Sequence, residues 1–305
     1  MRSALKTLLE FCLVSSGFAH MKRRRLAGRV LVVAFHNVVP DDAQPSGDRP
    51  NHLPLSRFAE LIDELSATHD VVPLADTLAM APAATARPRV AITFDDAYAG
   101  AVRLAMPELA RRRLPATIFV APAFIGGRAF WWDSLADSSG RGLEPIARQH
   151  VLTALAGDSD AAMQWAASER RVIAAVSAVL RAASLDELRE AASLPGITLA
   201  SHSWSHSNLA ALDAARLVDE LERPRAWLEQ FTPNVLNWLA YPYGMFNDAV
   251  ASAARTAGYD AALAIDGGWY PDPRTSDRYA LPRLNVPHQL SRRGLALRAA
   301  GLLLG

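Results

Sequence analysis

The chain has 305 residues, of which 50% are apolar and 21% charged, with 32 basic against 31 acidic side chains. A net charge of +1 gives no electrostatic reason to expect a nucleic-acid partner or wholesale attraction to membranes. The single cysteine, Cys12, excludes an internal disulfide and a cysteine-cluster metal site. Stability must come from a core, which a chain of this length can bury as one large domain or two small ones.

The first 28 residues form an amphipathic and basic segment. Its apolar run is interrupted by Glu10, lacks a clear small-residue cleavage site and is too short to span a bilayer. The run and the cluster Lys22-Arg23-Arg24-Arg25 suit a surface helix, with peripheral attachment to an anionic membrane or a weak export signal as the other readings. Without a convincing signal, the expected location is the cytoplasm, with membrane association open.

Seven short apolar runs follow: 29–36, 89–94, 116–121, 197–202, 235–241, 259–265 and 279–286. Each is apolar on both faces and bounded by polar or turn residues, as buried parallel strands are. Helical patterns lie between several of them: one after Ser56, an amphipathic one over 98–113, one over 213–229 and one opened by Asn247. This alternation predicts a parallel α/β barrel or a doubly wound sheet over residues 29–290. From about 133 to 195 the chain is alanine-rich and helical in pattern, which reads as an insertion in one connection. Residues 291–305 read as a C-terminal amphipathic helix that closes the barrel or touches a membrane.

Reactive groups in such folds gather at the carboxyl ends of strands, and four polar clusters stand there. His36 ends the first run, the adjacent Asp95 and Asp96 end the second, His202 and His206 follow the fourth, and the turn 240–244 follows the fifth. Each alone could be a capping or structural feature; four together are harder to dismiss. Adjacent carboxylates repel one another and resist burial, so the pair needs a purpose. Two histidines four residues apart on a helical turn share a face, and with one carboxylate they form a triad that leaves metal positions open. The other aspartate then stands free to take a proton from bound water, whose pKa a divalent ion lowers to about 7.

The motifs T-F-D-D (93–96), H-S-W-S-H (202–206) and Y-P-Y-G (241–244), in this order and each after a strand, resemble those of the polysaccharide deacetylases of the NodB-homology type, carbohydrate esterase family 4. The resemblance runs from about residue 29 to 287 apart from the insertion. It implies a distorted (β/α)7 barrel and metal-dependent hydrolysis of sugar N-acetyl groups. Carried over by position, Asp95 is the base and Asp96, His202 and His206 hold the metal, usually zinc. Pro242 and Tyr243 form the oxyanion turn, with the Tyr243 backbone N–H as donor.

Two features depart from the common pattern. The arginine expected before the proline-tyrosine turn is absent, Ala240 or Tyr241 standing near its place. The C-terminal leucine-histidine motif that supplies the general acid is missing as well. Both departures resemble a sub-branch that includes the circularly permuted poly-N-acetylglucosamine deacetylases, in which a histidine on the N-terminal strand does the acid's work. His36 matches that position and would protonate the leaving amine. Arg283 either replaces the missing guanidinium or forms a structural salt bridge.

Trp131 and Trp132 are candidates for a sugar-stacking platform or for anchors of the insertion. Trp204 walls the cleft or packs beneath it, Asp266 is a possible buffer in a turn sequence, and His288 is expected on the surface. The favoured function is N-deacetylation of amino-sugar units in a cell-surface polysaccharide or a lipid-linked precursor. O-acetyl ester or small-amide hydrolysis on the same scaffold, and a non-catalytic sugar-binding protein, are the alternatives.

Overall fold

A computed structural model describes residues 2–78, 87–137, 142–270 and 277–302. Its strands, in chain order, are β1 (Val30–Phe35), β2 (Asn37–Val39), β3 (His52–Pro54), β4 (Asp70–Val71), β5 (Arg89–Phe94), β6 (Ala116–Val120), β7 (Ile197–Ser201), β8 (Val235–Ala240), β9 (Ala261–Leu263) and β10 (Leu284–Asn285). Strands β1, β5 and β6 are buried almost throughout, which is why their sequences show no polar alternation.

The main sheet runs β10-β1-β5-β6-β7-β8-β9, with β4 also paired to β5, and every ladder is parallel. A parallel bridge between Leu263 and Leu281 brings the chain beside β9 just before it enters β10. The seven strands of the main path therefore curl back on themselves as a distorted (β/α) barrel. Strands β2 and β3 make a separate two-stranded ladder.

The helical elements depart from expectation in detail. Helix Leu55–Thr68 starts one residue before Ser56, whose N–H and hydroxyl both donate to Asp41 Oδ1. The run over 98–113 is a wide π-helical turn, Ala101–Ala105, followed by a short α-helix, Met106–Arg111. Pro107, which has no N–H to donate, sits where the α-helix begins. Helices Ala214–Phe231 and Asp248–Thr256 are capped by Asp213 and Asn247 through their side chains.

The insertion holds helices Trp131–Ser134, Pro145–Ala154, Ser159–Ser168 and Leu185–Ser193; between the last two, residues 169–184 include a 3-10 turn, Ala178–Leu180, and isolated bridges from Arg181 to Ala129 and from Ala182 to Tyr98. At the termini, helices Arg2–Ser15 and Phe18–Arg24 pack with helix Arg292–Arg298, burying Ala19 against Leu297 and Ala300. The last three residues of the predicted C-terminal helix lie outside the described ones. Among the described residues no helix is long and apolar enough to cross a membrane.

Candidate active site

The parallel register delivers the polar clusters to one place. Strand β1 pairs with β5 residue by residue up to Phe35 and Phe94, so His36 and Asp95 leave the sheet side by side. The Asp95 N–H then donates to Phe35 O at 2.9 Å. Strands β7 and β8 bring His202 beside Ala240, whose carbonyl accepts a hydrogen bond from His202 Nδ1 at 2.7 Å. Of the eight non-glycine residues with positive φ among the described ones, four lie in these motifs, Asp96 (71°), Ser203 (60°), His206 (57°) and Tyr243 (59°), and a fifth, Ala97 (51°), directly follows the first. Backbone strain of this kind survives only where surrounding packing holds it, and it clusters where side chains must be aimed.

His202 and His206 are thus not on a helical turn. The segment between them is a loop with two left-handed residues, and it still sets the two rings edge to face at 4.6 Å. Buried Glu220 holds this loop by accepting from the N–H groups of Trp204 and Ser205 and from the Ser205 hydroxyl.

Asp96 Oδ1 lies 3.1 Å from His206 Nε2 and 3.7 Å from His202 Nε2, and ligand atoms of these three buried residues all lie within 4.8 Å of one another. With its proton on Nδ1, His202 turns a bare Nε2 lone pair toward both carboxylates. Burial, outweighing the neighbouring carboxylates, lowers its pKa to about 4 and keeps it neutral. Asp96 Oδ1 is buried without a hydrogen-bond partner. The bare His202 Nε2 and the unpartnered Asp96 Oδ1, facing one another in a dry site, favour a positive charge between them. Two imidazoles and a carboxylate therefore fit a divalent cation of the zinc class.

Asp95 has a different partner. Arg283 grips it with Nη1 at 2.6 Å from Oδ1 and Nη2 at 2.9 Å from Oδ2, both side chains nearly inaccessible. Arg283 Nε donates to Ala264 O, and the guanidinium lies 5.2 Å from the Phe119 ring centre. Burial pushes the Asp95 carboxyl up; the guanidinium and the nearby imidazoles overcome it and hold the group well below the usual carboxylate range. Where the common motif has an arginine, Ala240 supplies only its carbonyl, and Tyr241 is buried with its hydroxyl donating to Tyr279 O.

These groups floor a cleft of about 250 Å³ whose walls include His36, Trp132 and Tyr243. Pro242 is buried in the turn behind Tyr243. Trp132 packs 4.8 Å from the His206 ring. Trp131 does not reach the cleft: it is 1% exposed, and its indole N–H donates to the Tyr243 hydroxyl at 3.0 Å. That hydrogen bond ties the insertion to the Y-P-Y-G turn. Trp204 also lies off the cleft, stacked under Arg223 at 3.7 Å. Asp266 is exposed and off the cleft. His288 is half-buried, its Nδ1 donating to His52 O at 2.8 Å.

The sequence reading missed Asn51, Arg148 and Asn285, which line the cleft as well. Only Asn285 carried a signal, lying two residues after Arg283 in the predicted run 279–286, where an extended chain puts both on one face. A buried hub was also missed. Asp133 accepts from His52 Nε2 (2.8 Å), the Asp48 N–H (2.7 Å) and the Tyr98 hydroxyl (2.6 Å), and Trp132 donates to that hydroxyl at 2.7 Å. Asn37, next to His36, completes the chain by donating to His52 Nδ1 at 3.1 Å.

The polysaccharide deacetylase family model matches residues 83–262. Among solved structures, the chain is similar to the deacetylase PplD of Streptococcus pyogenes in complex with acetate (TM-score 0.58, 15% identity, 88% of this chain and 96% of that one). It is similar to IcaB from Ammonifex degensii (0.60, 16%, 90% and 97%) and to a de-N-acetylase from Aggregatibacter actinomycetemcomitans (0.55, 17%, 86% and 96%). At these identities the likeness is one of fold. No curated protein matches the sequence.

Proposed function

Because the chain belongs to the polysaccharide deacetylase family, we propose that its cleft hydrolyses N-acetyl groups on the amino-sugar units of a polysaccharide or its precursor. The observation that carries this reading is the separation of the two aspartates: Asp96 faces the imidazoles, while Asp95 is gripped by Arg283 beside them. This separation supports a reading in which one carboxylate binds a cation and the other moves a proton.

Asp96, His202 and His206 would hold a divalent cation, most simply zinc. Bound there, the cation supplies Lewis acidity toward an acetyl carbonyl and toward water. Asp95 takes a proton from the attacking water at a carboxylate oxygen, and Arg283 keeps that carboxylate ionised and fixed in orientation. The Tyr243 backbone N–H stabilises the oxyanion. His36, on the opposite side of Asp95 from the imidazole pair in strand order, donates a proton to the leaving amine nitrogen. Trp132 offers the sugar ring an aromatic wall. The de-N-acetylase among the fold relatives supports the choice of bond.

The test is acetate release from N-acetylglucosamine oligomers by zinc-loaded protein, with Asp95→Asn as control. Release abolished in a variant that still binds zinc supports the reading. Release only from O-acetylated glycans would reassign the bond to an ester, and no release from either would leave a sugar-binding protein.

A further inference from the structure

The near-neutral total conceals a segregation of charge. Residues 2–29 and 288–305 together hold ten of the basic residues and one acidic residue, Glu10, whereas the remaining 22 basic and 30 acidic residues leave a net −8. The structure packs these two segments on one another: Glu10 is buried and accepts from the Ser291 hydroxyl at 2.6 Å, and Arg293 lies over the Phe11 ring. The basic groups of the chain's two ends are thereby gathered.

Five of those ten cations stand without an ion-pair partner among the described residues. Arg23 is drawn toward Glu64, and Arg292 pairs with the same carboxylate at 2.9 Å. Lys22, Arg24, Arg25, Arg29 and Arg293, by contrast, make no ion pair among the described residues. On the same helices Leu9, Phe11 and Met21 are 50%, 48% and 46% exposed, with Arg293 over the Phe11 ring and Met21 next to Lys22 in the chain. Half-exposed apolar side chains on short helices that also present unpaired cations are the composition of an interfacial anchor. Nucleic acid would use the cations and leave Leu9 and Met21 in water, whereas an anionic bilayer takes both.

We propose that the paired terminal helices are a docking face for an anionic lipid bilayer. Arg29 precedes the first residue of β1 and His36 follows its last, so the basic face and the cleft lie at opposite ends of that strand. A docked enzyme holds its cleft toward the aqueous side, open to a polymer strand. The docking face stands independently of the chemistry assigned to the cleft.

The experiment is co-sedimentation of the full chain with vesicles of phosphatidylcholine alone, or with about 30% phosphatidylglycerol, at low and high salt. Binding to the anionic vesicles alone, weakened by salt, is the expected result. Lys22→Gln/Arg24→Gln/Arg25→Gln should lower the affinity about 100-fold, at about fivefold per charge. Phe11→Ser should lower it about tenfold, with little dependence on salt. Unchanged circular dichroism and acetate release from a soluble oligomer would show that these variants remain folded. Equal affinity for both vesicles, no binding to either, or a triple variant that binds like the parent would overturn the proposal. So would binding of an RNA homopolymer, lost in the triple variant, by a chain that ignores the anionic vesicles.

Discussion

Replacing Arg283 by methionine removes a guanidinium and leaves a carboxylate in a site with almost no access to water. In the parent, Arg283 and Asp95 are 1% and 3% exposed and share two short charged hydrogen bonds. Taking away one partner of such a pair costs about 3–5 kcal/mol, because the remaining charge stays buried and uncompensated. The sign of the pH dependence follows from the same contact. The folded-state pKa of Asp95 lies below its ordinary 3.8, so the pair's stabilisation is present above that value and is lost as pH falls through the folded one. With methionine, only the nearby imidazoles still oppose burial, and the folded pKa rises well above the parent's. The variant's deficit should therefore be largest at neutral pH and narrow on acidification. Urea unfolding of chelated protein at neutral pH and at about pH 4.5 measures both, free of stabilisation by cation binding. Asp95→Asn/Arg283→Met should recover at least about half of the loss, since it removes the stranded charge. A deficit under about 1 kcal/mol, or one equal at both pH values, would refute the assignment of Arg283 as the group that keeps Asp95 ionised.

Three further outcomes follow. His36→Ala should slow acetate release by about 10²–10⁴ with zinc content unchanged; a rate equal to the parent's would remove His36 as the proton donor. His69, fully enclosed and lowered by burial from 6.5 to about 4, should destabilise the fold as pH drops through that window, by about 3 kcal/mol at its lower edge. A His69→Gln variant whose stability-pH curve runs parallel to the parent's would contradict this. Asp133→Asn puts an amide where three donors converge and should cost about 2–4 kcal/mol; a urea midpoint close to the parent's would show that the hub adds nothing.

The long buried strands were legible because a parallel strand covered on both faces must be largely apolar, as 30–35 is throughout and as 89–94 and 116–120 are apart from Arg89, Thr93 and Thr117. The run 279–286 shrank to Leu284–Asn285, since Pro282 and Pro287 withhold the N–H groups a longer ladder needs. Strand β4 is two residues long, too short to show a period. At the site, Asp96, His202 and His206 could be grouped because motif spacing encodes them locally, although their convergence depends on left-handed backbone at Ser203 and His206 that spacing does not reveal. Asp133 was invisible as a hub for the opposite reason. Its three donors come from positions 48, 52 and 98, and only the packing of a loop and the insertion brings them to one carboxylate.

The grip of Arg283 on Asp95 joins residues 188 positions apart. During synthesis the aspartate pair leaves the ribosome long before its arginine, so Asp95 must wait, solvated or protonated, until the last strand docks against β1. Closure of the barrel and maturation of the site are then a single late event. A C-terminal fusion or deletion that hinders that strand would leave the barrel open and the centre idle together. Specific activity per chain would thus report the closed fraction of a preparation.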